Sequence, residues 1–185
     1  HHGTPSASSD KPAAEAAVSA GIGFEGGKHV MFSYQWDCQS EVQSVREHFA
    51  KLGIPTWMDT DGGMQVDIYD SMAQGVDNAF CVVCFTSQRY QDSSNCQLEL
   101  KFAKTRGIPI CSVKLDGKGW KPSGWLGLVT AGALWIPLYK DEHWESSIDG
   151  LCSQILKHAS DAGLQPSQGA ASGIRFKRGS ARSGK

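Results

Sequence analysis

Five short apolar runs, at residues 30–34, 54–59, 79–85, 108–115 and 133–138, recur along the middle of this chain. Each is nearly continuous in apolar residues instead of alternating apolar with polar. A strand reads that way when both its faces are covered, as in a parallel sheet with helices on either side. Helical patterns fill the gaps. Ser40-Glu-Val-Gln43 has the form of a capping box, Val42, Val45, Phe49 and Leu52 fall on one stripe, and Gly53 follows as a stop. Asp67 is placed to cap a second helix through Ile68, Met72 and Val76. Ser94-Asn-Cys-Gln97 opens a third that runs to about Arg106. A Trp- and Gly-rich connection spans 118–130, and Trp144, Ile148, Leu151 and Ile155 share one face of a last helix. The alternation predicts an α/β fold: a flavodoxin-like, doubly wound, five-stranded parallel sheet of order 2-1-3-4-5 with helices on both faces.

The flanks are of another character. Residues 1–27 are rich in Ala, Ser and Gly behind a His1-His2 pair that looks like a purification-tag remnant. Residues 160–185 are Gly/Ser-rich with Arg175, Lys177, Arg178, Arg182 and Lys185. Neither has apolar periodicity, so we expect a folded domain at 28–159 between a disordered N-terminal flank and a disordered basic tail. Gly21-Ile-Gly23-Phe-Glu-Gly26 fits the GxGxxG spacing, but a dinucleotide fingerprint must follow a strand and open a helix, and this one precedes a strand.

The net charge of −1 gives no electrostatic bias toward nucleic acid or a membrane surface. No apolar run reaches the roughly 18 residues of a membrane span, and the first residues have no signal-peptide core. Six cysteines raise the question of metal or disulfides. Cys81-Val-Val-Cys84 lies in a strand-like run, where residues three apart face opposite sides of the sheet. Plain buried thiols, a reducing cytoplasmic setting and no metal are expected.

In open α/β sheets, ligands bind beyond the carboxyl ends of the strands where the strand order reverses, here between strands 1 and 3. Ser33-Tyr34-Gln35-Trp36 and Thr86-Ser87 occupy those ends. The segment 88–93 reads as a loop leading into the third helix. Glu99 stands in that helix's second turn, at the edge of a stripe made by Cys96, Leu100 and Ala103. It reads either as a solvated carboxylate beside Lys101 or as a charge aimed at the crevice and favoured by the helix dipole. Trp36 can stack on a flat ring or close a core edge. The loop 60–67 opens at Thr60 and carries Gly62, Gly63 and Met64; it suits a mobile lid, a protein contact or a simple turn. Trp120, Trp125 and Trp135 read as packing. Asp37 and Lys114 are a poor imitation of a phosphoacceptor cluster, and there is no GxSxG elbow or zinc-ligand cluster.

These residues, in this order, resemble the TIR (Toll/interleukin-1 receptor/resistance) family over about 130 positions. Met31-Phe32-Ser33-Tyr34 is similar to its first box, Phe-Ile-Ser-Tyr. Trp57-Met58-Asp59 with the glycine-bearing loop resembles its second strand and BB loop, and Asp70-Ser71-Met72 through Val76 its helix B. Cys96-Gln97-Leu98-Glu99-Leu100 resembles the Cys-Leu-x-Glu-Leu of the catalytic, NAD-cleaving members. The resemblance implies an NAD+ glycohydrolase in immune or cell-death signalling. NAD+ would be substrate, no further cofactor would be needed, and activation would come from TIR–TIR assembly through loop 60–67. It places the catalytic glutamate at Glu99 and substrate contacts at Tyr34, Gln35, Trp36, Ile68, Asn95 and Cys96. The alternative it leaves open is a non-catalytic scaffold. The receptor signature Arg-Asp-x-x-Pro-Gly is absent from the loop. Gln35 stands where the family often has Arg, and Asn95 where some catalytic members have Trp.

Overall fold

A computed structural model describes residues 24–58, 68–139 and 141–164. Five strands form one sheet: β1 (His29–Ser33), β2 (Thr56–Trp57), β3 (Ala79–Thr86), β4 (Ile110–Lys114) and β5 (Trp135–Pro137). All neighbouring pairs are parallel and the order is β2-β1-β3-β4-β5, as the alternation of runs predicts. The helices are α1 (Gln39–Lys51), α2 (Ile68–Asp77), α3 (Gln88–Asp92), α4 (Ser94–Thr105), α5 (Gly124–Val129) and α6 (Trp144–Asp161). No helix among the described residues is long and apolar enough to cross a membrane.

The sheet divides the core in two. Val30, Phe32, Val83, Phe85, Cys111 and Val113 face α1 and α6, where Val42, Val45, Phe49, Ile148, Leu151 and Ile155 meet them. Met31, Val82 and Cys84 face the other way, onto Val76, Tyr90, Leu100, Ala103 and Leu126. Every residue of β3 is buried, which explains its unbroken apolar reading. Each fully buried Leu, Ile or Phe contributes roughly 1.5–3 kcal/mol over its exposed state, so the helices are held mainly by this burial.

Several boundaries shift from the sequence expectation. The first helix does not start in a box at Ser40: a 3₁₀ turn, Trp36–Cys38, leads straight into α1, and the Ser40 hydroxyl bonds Glu41 instead. The box at Ser94 moves one residue back, because the Ser93 side chain accepts from the Cys96 N–H at 3.3 Å. The segment 88–93, expected as a loop, contains α3, and the 118–130 connection contains α5; both helices are too short for periodicity to register. The 54–59 run yields only two paired residues, a short edge strand behind Pro55. Position 59 and loop 60–67, including the expected Asp67 cap, lie outside the described residues.

The stops are as expected at Gly53. Its φ of 72° lets its N–H reach Ala50 O at 3.0 Å and the Ile54 N–H reach Phe49 O at 2.9 Å, a Schellman closure. The packed core also reaches past 28 and 159. Phe24 is buried edge-on against Phe80 with ring centroids 4.9 Å apart. α6 continues to Asp161, and Leu164 packs against the same cluster.

All six cysteines are free and buried. Cys81 belongs to the α1/α6 side and Cys84 to the other, so the CxxC pair is split by the sheet. Among the described residues no group of His, Cys, Asp and Glu could hold a metal ion.

Candidate functional site

β1 is an interior strand, and its last residue, Ser33, sits at the point where the strand order reverses. Ser33 is fully buried, so its hydroxyl needs partners. It finds two: Ser33 Oγ donates to Glu99 Oε2 at 2.7 Å and lies 2.8 Å from the Tyr90 hydroxyl. The carboxylate predicted from α4 therefore meets the end of β1 directly, across the crevice between strands 1 and 3. Glu99 itself is half-buried. The carboxylate thus turns toward the end of β1 and is not wholly solvated.

Tyr90 is held from several directions. The Ser87 side chain caps α3 by accepting from the Tyr90 N–H at 3.1 Å, and the Gln88 N–H is pinned to Asp116 at 2.7 Å. Its ring lies 6.2 Å from that of Trp125, whose indole N–H bonds Gln91 O at 2.8 Å. Burial pushes the Tyr90 phenol well above its usual value, so it stays neutral. The sequence reading gave Tyr90 no role. The one signal that could have found it is Ser33, a polar residue ending a buried strand and therefore owing a partner from the next element across.

The other expected site residues fall into two groups. Trp36 is 48% exposed at the crevice mouth, tilted against Tyr34 with centroids 6.3 Å apart. Asn95 is exposed in the first turn of α4, and Ile68 opens α2 without a described side chain. Arg89 and Asp37 pair at 3.2 Å, joining α3 to the turn after β1. Cys96, Gln35 and Tyr34 make contacts within the fold. Cys96 is buried, its thiol donates to Tyr34 O at 3.5 Å, and desolvation pushes it up to about 12. That thiol packs against the backbone just beyond the end of β1. The Gln35 carboxamide oxygen is taken by the Asp37 N–H at 2.9 Å. Tyr34 is nearly enclosed.

A groove of about 380 Å³, lined by residues that include Lys104, Ile108, Ile110, Val129 and Ala133, opens at the amino ends of β4 and β5. It lies at the opposite end of the sheet from Glu99. It brings no set of acid, base or nucleophile together, so chemistry favours the Glu99 end of the sheet over this groove.

A family model described as TIR domain matches residues 30–152. Two solved structures share the fold. One is the TIR domain of the Toll-related receptor TRR-2 from the lower metazoan Hydra magnipapillata, at TM-score 0.55 and 11% identity, covering 69% of this chain and 97% of that one. The other is the TIR domains of the activated Roq1 resistosome, which directly recognizes the pathogen effector XopQ, at TM-score 0.53 and 15% identity, covering 69% of this chain and 99% of that one. At such identities the likeness speaks for the fold alone. Among curated protein sequences none matches.

Proposed function

The chain belongs to the TIR-domain family, and we propose that it is a cytoplasmic NAD+ nucleosidase in immune or cell-death signalling whose acting carboxylate is Glu99. The single observation that supports this most is the 2.7 Å bond from Ser33 Oγ to Glu99 Oε2. It ties a half-buried carboxylate to the carboxyl end of β1, at the switch point where ligands of this architecture bind.

The chemistry asked of the site is modest. The bond between ribose C1′ and the nicotinamide nitrogen breaks, and its electron pair leaves with nicotinamide, which becomes neutral. Positive charge builds on the ribose. A fixed carboxylate stabilises that oxocarbenium-like state and can hold the ribose hydroxyls. Water then adds to C1′ and releases a proton, giving ADP-ribose, or an adenine nitrogen of the same molecule adds and gives a cyclic ADP-ribose. Trp36, exposed at the mouth, offers a ring face to nicotinamide. In this reading Asn95, exposed in the first turn of α4, and Ile68 border the substrate. Self-association through loop 60–67 would complete the site, in keeping with the assembled TIR domains of the Roq1 resistosome.

The test is nicotinamide release from NAD+ by concentrated protein, compared with Glu99→Gln. That change keeps the size and removes the charge, so the rate should fall by about 10²–10³, the usual cost of one transition-state contact. Equal turnover by the two proteins refutes the reading. Absence of turnover in both at concentrations where the protein is assembled moves the scaffold alternative to first place.

A further inference from the structure

We infer that Ser33 and Tyr90 are positioning residues for the Glu99 carboxylate, forming a one-way hydrogen-bond chain from the Tyr90 hydroxyl through Ser33 to Glu99. The inference rests on the reading of Glu99 just proposed and goes beyond it by assigning what aims the carboxylate.

The direction of the chain follows from counting protons. An ionised carboxylate only accepts. Ser33 has one hydroxyl proton, and the 2.7 Å bond to Glu99 Oε2 uses it. The 2.8 Å contact between Ser33 Oγ and Tyr90 is then satisfied only if the Tyr90 proton points at Ser33. No hydroxyl in the chain is left to rotate between partners. Bonds in such a chain polarise one another, so the tyrosine strengthens the bond the serine makes.

Both members sit on rigid ground. Ser33 is at the end of a strand flanked by β2 and β3 and has no exposed surface. Tyr90 has none either, and α3 is tied at Ser87 and Asp116. Glu99 lies one turn into α4, on a helix whose cap, Ser93, directly follows α3. A side chain with three rotatable bonds is thus fixed at its tip by groups that cannot shift. Holding a charged group in its working geometry is what a site needs when the charge acts in the transition state.

The test uses the full chain in four forms: wild type, Ser33→Ala, Tyr90→Phe and Glu99→Gln. Two readouts are taken on the folded fraction: steady-state nicotinamide release across pH, and the pH titration of the Glu99 side-chain carboxyl by ¹³C NMR. Ser33→Ala should lower kcat by about 10- to 100-fold, the scale on which a small misplacement costs rate, with KM changed less than about threefold. Tyr90→Phe leaves the serine proton in place and should cost less, about threefold. In Ser33→Ala the Glu99 titration and the acidic limb of kcat should both move to higher pH, because a donor to the charged form is gone. Tyr90 and Cys96, two titratable groups that bear on Glu99, are kept neutral by burial and do not supply that limb. A merely structural serine would change stability and leave both readouts alone. Wild-type kcat and an unmoved titration in Ser33→Ala overturn the inference. If wild type is inactive, or Glu99→Gln equals it, the nucleosidase reading falls, and the NMR titration alone decides whether the serine governs the carboxylate.

Discussion

Replacing Ser33 by alanine deletes a single oxygen, yet its thermodynamic consequence should exceed that of deleting the Tyr90 oxygen. Neither residue has exposed surface, so water cannot fill the gap. Ser33→Ala removes the bond to Glu99 and strands the Tyr90 hydroxyl without its acceptor. A stranded buried donor costs about 1–3 kcal/mol, and the lost bond to a charged group adds about 1.5–3, giving about 2.5–6 kcal/mol in all. Tyr90→Phe keeps the ring against Trp125 and leaves Ser33 donating to Glu99, so only one ordinary bond is lost, about 0.5–1.5 kcal/mol. In the double variant no hydroxyl remains to be stranded. Its cost should fall short of the sum of the singles by about 1 kcal/mol or more, within the range found for residues sharing a network. Urea unfolding followed by tryptophan fluorescence measures all four corners, provided the slopes agree. Additive costs, within about 0.3–0.5 kcal/mol, would refute the directed chain.

Three further outcomes follow from the packing. His29 Nε2 bonds Gly75 O at 2.8 Å, and burial holds the ring below its usual value of 6.5, so below that pH the unfolded chain takes up the proton first. Stability should therefore decline as pH falls from about 6.5, less steeply in His29→Gln, and parallel melting curves for the two would oppose this. Burial pushes Cys38, Cys84, Cys96 and Cys152 up to about 12, so a disulfide reagent at pH 8 should label native protein far more slowly than urea-unfolded protein. Trimming the chain to 28–159 removes Phe24 and Leu164 from the core and should lower stability by about 2–4 kcal/mol relative to 24–164; matching denaturant midpoints would show that these contacts are idle.

What could be read in the sequence, and what could not, divides along the range of the interactions. The strand runs were legible because burial on both faces removes every polar position, and Val82-Val83-Cys84-Phe85 shows that state without help from neighbours. Strand order followed from the handedness of crossovers, which is a property of the backbone. Glu99 was legible as a candidate because helical spacing set it on the edge of an apolar stripe. Caps were misplaced by a residue or more because Ser93 and Ser94 are chemically equal, and only the fold decides which one meets the Cys96 N–H. α3 escaped because five residues hold too little periodicity to compete with the turn chemistry of Ser87 and Ser93. With α3 missed, Tyr90 had no place, and the contact across 57 positions between Tyr90 and Ser33 could not be anticipated from either end. Phe24 fails to register for a related reason: one aromatic in a Gly-rich flank has no period, and its burial depends on Phe80 from the far side of the sheet's first crossover. A site built from long-range polar contacts is thus the last part of such a chain to become visible, and the unpaired polar residue at the end of an apolar strand is the place to look for it.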